Sequence, residues 1–154
     1  MKKVLWSGAL ALGVAALLTV VSAPAQAQEK LEGNAIPVQK RNTVVVKEAD
    51  GKRMVFGLLD TSGYSAEIQQ KYAGMIIVER QVSVGGAAGA AGAYGFGLQK
   101  PTPPEGPAKL ILYDVGGTKV GEATAQYDAA LAQPVPLQFV AGRLYVGRHW
   151  VEIK

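Results

Sequence analysis

From residue 42 onward the chain is a succession of short β-branched or apolar runs separated by turn residues. "NTVVVKE" and "KRMVFGLLD" flank Asp50-Gly51. Such runs on either side of an Asp-Gly pair predict a hairpin with strands at about 42–48 and 52–59, closed by a type I′ turn in which both central residues take positive φ. "MIIVERQVSV", residues 75–84, predicts one continuous strand. "AKLILYD" and "KVGEATAQYD" around Gly116-Gly117 predict a second hairpin, and "VPLQFV" and "RLYVGRHWVEIK" around Ala141-Gly142 a third. "QKPTPPEGPA" carries four prolines in ten residues and reads as a loop, because proline cannot donate to a ladder.

One segment reads two ways. In "YSAEIQQKYAG", Ser65 suits a helix N-cap, Ile68 and Tyr72 lie one turn apart, and Gly74 suits a stop. The same residues also alternate as a strand would. The capping residues favour a short helix or helical turn.

"VGGAAGAAGAYGFGL", residues 84–98, holds six glycines and five alanines. Its second half alternates: Tyr94, Phe96 and Leu98 on one side, Gly95 and Gly97 on the other. That is a strand with an aromatic face, expected in the core, and a bare face. Glycine in a strand interior marks close approach of another backbone or of a ligand. Packing of a neighbouring segment is the plainer cause, and Gly95 and Gly97 are the candidate binding face. A phosphate loop is disfavoured, since no G-x-x-x-x-G-K-[ST] is present and no helix pattern follows.

The count comes to about eight or nine short strands at roughly ten-residue spacing with almost no helix, which predicts an all-β fold. A single antiparallel β-sandwich is the first expectation and a small β-barrel the alternative. "GMIIVERQVSVGG…AGAYGFGL" and "LILYDVGGTKVGE" resemble segments of small exported bacterial β-sandwich proteins, immunoglobulin-like or transthyretin-like in build. The resemblance spans residues 42–153 and implies a sandwich. It carries over no functional residue.

The first 27 residues read differently. Lys2 and Lys3 precede an almost wholly apolar run from Val4 to Val21, and Ala25-Gln26-Ala27 supplies a small-x-small cleavage pattern. This is the tripartite form of a secretory signal peptide. Cleavage after Ala27 leaves no membrane span and places the protein in the periplasm or the medium. The expected organisation is a signal peptide at 1–27, a flexible lead-in at 28–41 with strand character near Ile36 to Val38, and a β-domain at 42–154.

Charge and composition narrow the function classes. Lys2 and Lys3 account for two of the 16 basic residues, which leaves 14 against 12 acidic ones, a net +2 after cleavage. Lys40-Arg41 and Lys52-Arg53 are the adjacent basic pairs after cleavage, too sparse a footprint for nucleic acid. The chain has no cysteine, so thiol catalysis, thiolate metal sites and disulfides are all excluded.

The remaining chemistry is thin. His149 is the lone histidine and stands beside Trp150 in a strand pattern, which suits a partly buried structural residue. A metal site with Met54 or Met75 is the other use for it. "FGLLDTSGY" resembles the Asp-Thr/Ser-Gly turn of aspartic proteases, but Ser62 occupies the glycine position, Gly63 comes one residue late, and a homodimer would have to supply the second carboxylate. Its other reading is a polar turn with Asp60 bonded to the backbone two residues on. Ser62, Ser65 and Ser83 are the serines after residue 27, and none stands in G-x-S-x-G. The expectation is a non-enzymatic envelope module without metal or cofactor that binds protein, peptide or glycan. An Asp60 hydrolase and a purely structural or assembly protein are the alternatives.

Overall fold

The computed structural model describes residues 36–154 of the 154. The expected signal peptide and most of the lead-in fall outside the described residues. Eleven strands and one short helix follow in order: β1 (Val38–Lys47), β2 (Arg53–Leu59), α1 (Ala66–Lys71), β3 (Gly74–Val78), β4 (Val82–Val84), β5 (Ala87–Gly89), β6 (Gly92–Gln99), β7 (Ala108–Tyr113), β8 (Lys119–Tyr127), β9 (Leu137–Val140), β10 (Arg143–Val146) and β11 (His149–Glu152). Nine strands form one antiparallel sheet in the order β1-β2-β3-β6-β7-β8-β11-β10-β9, and β4 and β5 pair separately. The sheet curls until β1 and β9, its two ends, come within 8 Å Cα to Cα. Of the two all-β architectures expected, the molecule takes the barrel-like one, because a single twisted sheet of this width closes on itself rather than staying open.

The core lies on the concave face. Phe56, Ile76, Phe96, Leu110 and Leu144 are fully buried there, one each from β2, β3, β6, β7 and β10. Alternation places them: each stands two residues from another inward side chain of its own strand or beside one in register. Phe96 is opposite Gly74 in the β3–β6 register, and a Cβ at Gly74 would collide with its ring. The β4–β5 hairpin contributes Val82 and Val84 to the same core. It is tied to the C-terminal strand by Ser83 N–H to Lys154 O and Lys154 N–H to Ser83 O, at 2.7 and 3.0 Å.

Four expectations are corrected. The strand foreseen at 75–84 is two strands, because Glu79 and Arg80 turn outward to bond Arg53 and Glu48 and break the run. "RLYVGRHWVEIK" is likewise two strands, β10 and β11, joined at Gly147-Arg148, with Gly147 at φ 63°. The Asp50-Gly51 turn is not type I′. Only Gly51 has positive φ, and Glu48 N–H bonds Lys52 O while Gly51 N–H bonds Glu48 O, a type I turn followed by a glycine bulge. The same pattern recurs at Asp114–Thr118. The two-residue turn with both φ positive is instead Ala141-Gly142. Finally, β1 begins at Val38, inside the expected lead-in, and the "GGAAGAAG" connection contains the short strand β5.

Candidate functional site

The bare face of β6 is covered by α1. Ser65 caps this helix by accepting a bond from Ile68 N–H, so the helical reading of residues 64–73 holds. The chain leaving it is stitched into the sheet by Ala73 N–H to Phe96 O and Leu59 N–H to Ala73 O. Gly97 is buried, and a Cβ there would stand 2.6 Å from Gln70 O and 2.9 Å from Lys71 O. A Cβ at Gly95 would stand 2.8 Å from the Tyr72 ring. Both glycines therefore serve the close approach of a neighbouring segment. Of the two, Gly95 retains partial exposure, at the foot of a surface depression.

That depression is the candidate site. It is a shallow, open cavity of about 290 Å³ on the convex side of the sheet. The β2–β3–β6 register explains its floor. Gly57, Met75 and Gly95 form one row across the three strands, and Val55, Ile77 and Ala93 form the next. The outward positions of β3 are thus Met75 and Ile77, which a solvent-facing strand would ordinarily give to polar residues. Tyr72, Leu59, Ile36, Asp114 and Val115 complete the rim. Val115 is 89% exposed and Ile77 38%. The Val55–Ile77 row runs on to Val45 of β1, 61% exposed.

The rim is rigid at one end. Tyr72 packs against Tyr113 with ring centroids 5.8 Å apart, and Lys71 Nζ lies 4.9 Å above the Tyr113 ring. Asp114 is fixed by accepting Thr118 N–H at 2.9 Å. The cavity offers an apolar floor, an aromatic wall, one carboxylate and a nearby cation. Among the described residues no cluster of three histidine, aspartate or glutamate side chains stands ready to hold a metal ion.

The other sequence-level candidates lie apart from it. His149 is buried in the core wall. Its ring packs edge-on against Tyr127 at 5.3 Å, and Nε2 lies 2.9 Å from Gly106 O. A carbonyl only accepts, so Nε2 carries the proton and His149 pins the proline-rich loop. Asp60 accepts both the amide and the hydroxyl of Ser62, at 3.1 and 2.5 Å, and these bonds hold its carboxyl below the ordinary value. Tyr145, which alternates with the core residue Leu144, is buried on the convex side, with its hydroxyl 3.2 Å from Asp128. Phe96 is in the core as expected, while Tyr94, Tyr113, Tyr127 and Trp150 are partly buried. Arg143 stacks on one face of the Trp150 ring at 4.0 Å.

Alternation along β3 alone conceals the cavity. "GMIIV" is apolar on both faces and reads as a fully buried strand. Only the register that sets Met75 and Ile77 beside glycine and alanine shows one face to be a surface. Compared with protein-family models, curated proteins and solved structures, the chain has no match in any of the three. The functional reading stands on the geometry of the site.

Proposed function

We propose that this protein is an exported, non-enzymatic binding module of the cell envelope, and that it holds apolar side chains of a protein or peptide partner in the depression between Tyr72, Met75, Ile77 and Val115. The observation that carries the reading is the placement of Met75, Ile77 and Val115 on the outside of a sheet whose core lies on the other face. The apolar side chains are gathered in one depression rather than scattered singly, and that grouping is what supports docking there. An apolar floor with a single carboxylate on the rim suits aliphatic or aromatic side chains better than the hydroxyl-rich surface of a glycan.

The non-enzymatic part is supported by Asp60. Its carboxylate is engaged by the amide and the hydroxyl of Ser62 in its own turn, which fits a polar turn after the strand. Export is supported by the tripartite amino terminus. Intact mass of protein recovered from the periplasm or medium tests it, with a chain beginning at Gln28 as the expected species.

The decisive experiment compares partner capture from envelope extract by the wild type and by Ile77→Asp and Val115→Asp. Both side chains are solvent-exposed, so the variants should melt as the wild type does and lose the partner. Retention of the same partner by both would refute the site. A peptidase activity lost on Asp60→Asn at unchanged melting would refute the non-enzymatic reading.

A further inference from the structure

A second surface, away from the cavity, presents unpaired backbone rather than apolar side chains. The nine-stranded sheet has eight antiparallel pairings in succession. An odd number of strands leaves its two ends, β1 and β9, running parallel. They approach within 8 Å, yet among the described residues no ladder joins them. β1 spans ten residues and β9 four, so much of the β1 edge faces no strand at all.

The hairpin hydrogen bonds show which groups are open. Glu48 N–H bonds Lys52 O, and Lys47 to Thr43 follow in unbroken register with Arg53 to Gly57. Bonded and non-bonded pairs alternate in an antiparallel ladder. Val44 and Val46 therefore address β2, while Thr43, Val45 and Lys47 turn their amides and carbonyls to the open edge. On β9, Gly147 N–H bonds Pro136 O and the Ala141-Gly142 turn closes at Val140–Arg143. Leu137 and Phe139 accordingly present the open groups there.

The charge along this edge has one sign. β1 carries Lys40, Arg41 and Lys47 and no acidic residue, and β9 is uncharged. Among the described residues none of the three cations is in an ion pair, whereas Glu48 and Asp50 at the end of the strand are taken by Arg80 and Lys52. Edge lysines guard a strand against neutral or basic strands. An acidic strand meets no such barrier and gains charge-assisted contacts.

We propose that β1 takes an extended, acidic segment of a partner protein as a tenth strand, antiparallel to β1. Strands lie about 4.8 Å apart, so ends within 8 Å of each other admit no third strand between them. The added strand pairs instead with the stretch of β1 that the four-residue β9 leaves uncovered. Its outward side chains extend the Val45–Val55–Ile77 row. The proposal is independent of the cavity.

The test uses the full chain and three synthetic probes: a ten-residue peptide alternating valine and glutamate, its copy with alternate amides N-methylated, and a valine–lysine counterpart. The glutamate peptide should bind, more weakly as salt is raised, and give the infrared signature of added antiparallel strand. The lysine and N-methylated peptides should bind at least tenfold more weakly. Val45→Pro should lose the peptide at unchanged melting, since its amide faces the open edge. Lys40→Glu combined with Lys47→Glu should invert the preference between the two charged peptides, and it decides the matter if the proline variant fails to fold. Ile77→Asp should leave peptide binding intact. Equal binding of both charged peptides, or undiminished binding by folded Val45→Pro, would overturn the proposal. So would a concentration-dependent dimer that ignores the peptide, which assigns the edge to a second copy of the chain.

Discussion

A Cβ on Gly97 would stand 2.6 Å from the carbonyl oxygen of Gln70, closer than any real Cβ contact. The obstacle is main chain, from the last turn of α1, and main chain cannot rotate away. At Gly95 the obstacle is the Tyr72 ring, a packed side chain that can still tilt slightly against Tyr113 where main chain cannot move. Gly97→Ala should therefore cost about 1–3 kcal/mol, and Gly95→Ala less. Thermal melting of the two variants checks the order; equal losses would place α1 elsewhere than on β6.

Phe96→Ala should be among the most damaging single changes. The ring is fully buried opposite Gly74 and is part of the main core cluster. Truncating a core phenylalanine costs about 3–5 kcal/mol, a large part of a domain's stability. Denaturant unfolding should show the midpoint fall with an unchanged slope.

His149→Phe should keep the shape and lose the bond. Gly106 O would be left without its imidazole donor inside the proline-rich loop. An orphaned acceptor costs about 1–3 kcal/mol when fully buried, and Gly106 is half-buried, so the loss should fall at the low end. Limited proteolysis should open residues 99–107 in the variant before the rest of the chain. Resistance equal to the wild type would show that the loop is held by other contacts.

Part of the acid sensitivity should come from the ion pairs around the β1–β2 turn. Arg80 donates to both oxygens of Glu48 at 2.7 Å, and Arg53 bonds Glu79; each pairing holds its carboxyl below the ordinary 4.5. A carboxyl with a lower folded than unfolded pKa adds stability that is complete above the unfolded value and is lost as pH falls through the folded one. Wild type should thus begin to lose stability as pH falls below about 4.5. Glu48→Gln should be less stable at neutral pH, flatter below, and convergent with wild type in strong acid.

The strands were legible wherever one face is polar, as in β8, and the approach over Gly95 and Gly97 could be foreseen from their missing side chains. That α1 is the approaching segment could not, because the contact joins elements more than twenty residues apart and leaves no local pattern. The break at Glu79-Arg80 was written in two adjacent charges inside an apolar run. Its cause, partners at Arg53 and Glu48, lies on another hairpin. The cavity was the least legible feature. It depends on which residues of β2, β3 and β6 stand side by side, and a one-residue slip of β3 would bury Met75 and Ile77 and expose Ile76 instead.

β11 meets β8 through only two register pairs, Tyr127–His149 and Gln126–Trp150. The strands from β9 onward thus form a small meander joined to a larger one by a narrow hinge of backbone. Ser83 and Gly85 reach across that hinge, bonding Lys154 and Glu152 from the far side of the chain. In amide exchange, cooperative units need not follow sequence. Ser83 and Gly85 should open and close in step with β11, some seventy residues away, and out of step with β3, the strand just before them. The short hairpin is then a latch: it keeps two sub-sheets moving as one body, and releasing it would let the C-terminal meander breathe on its own.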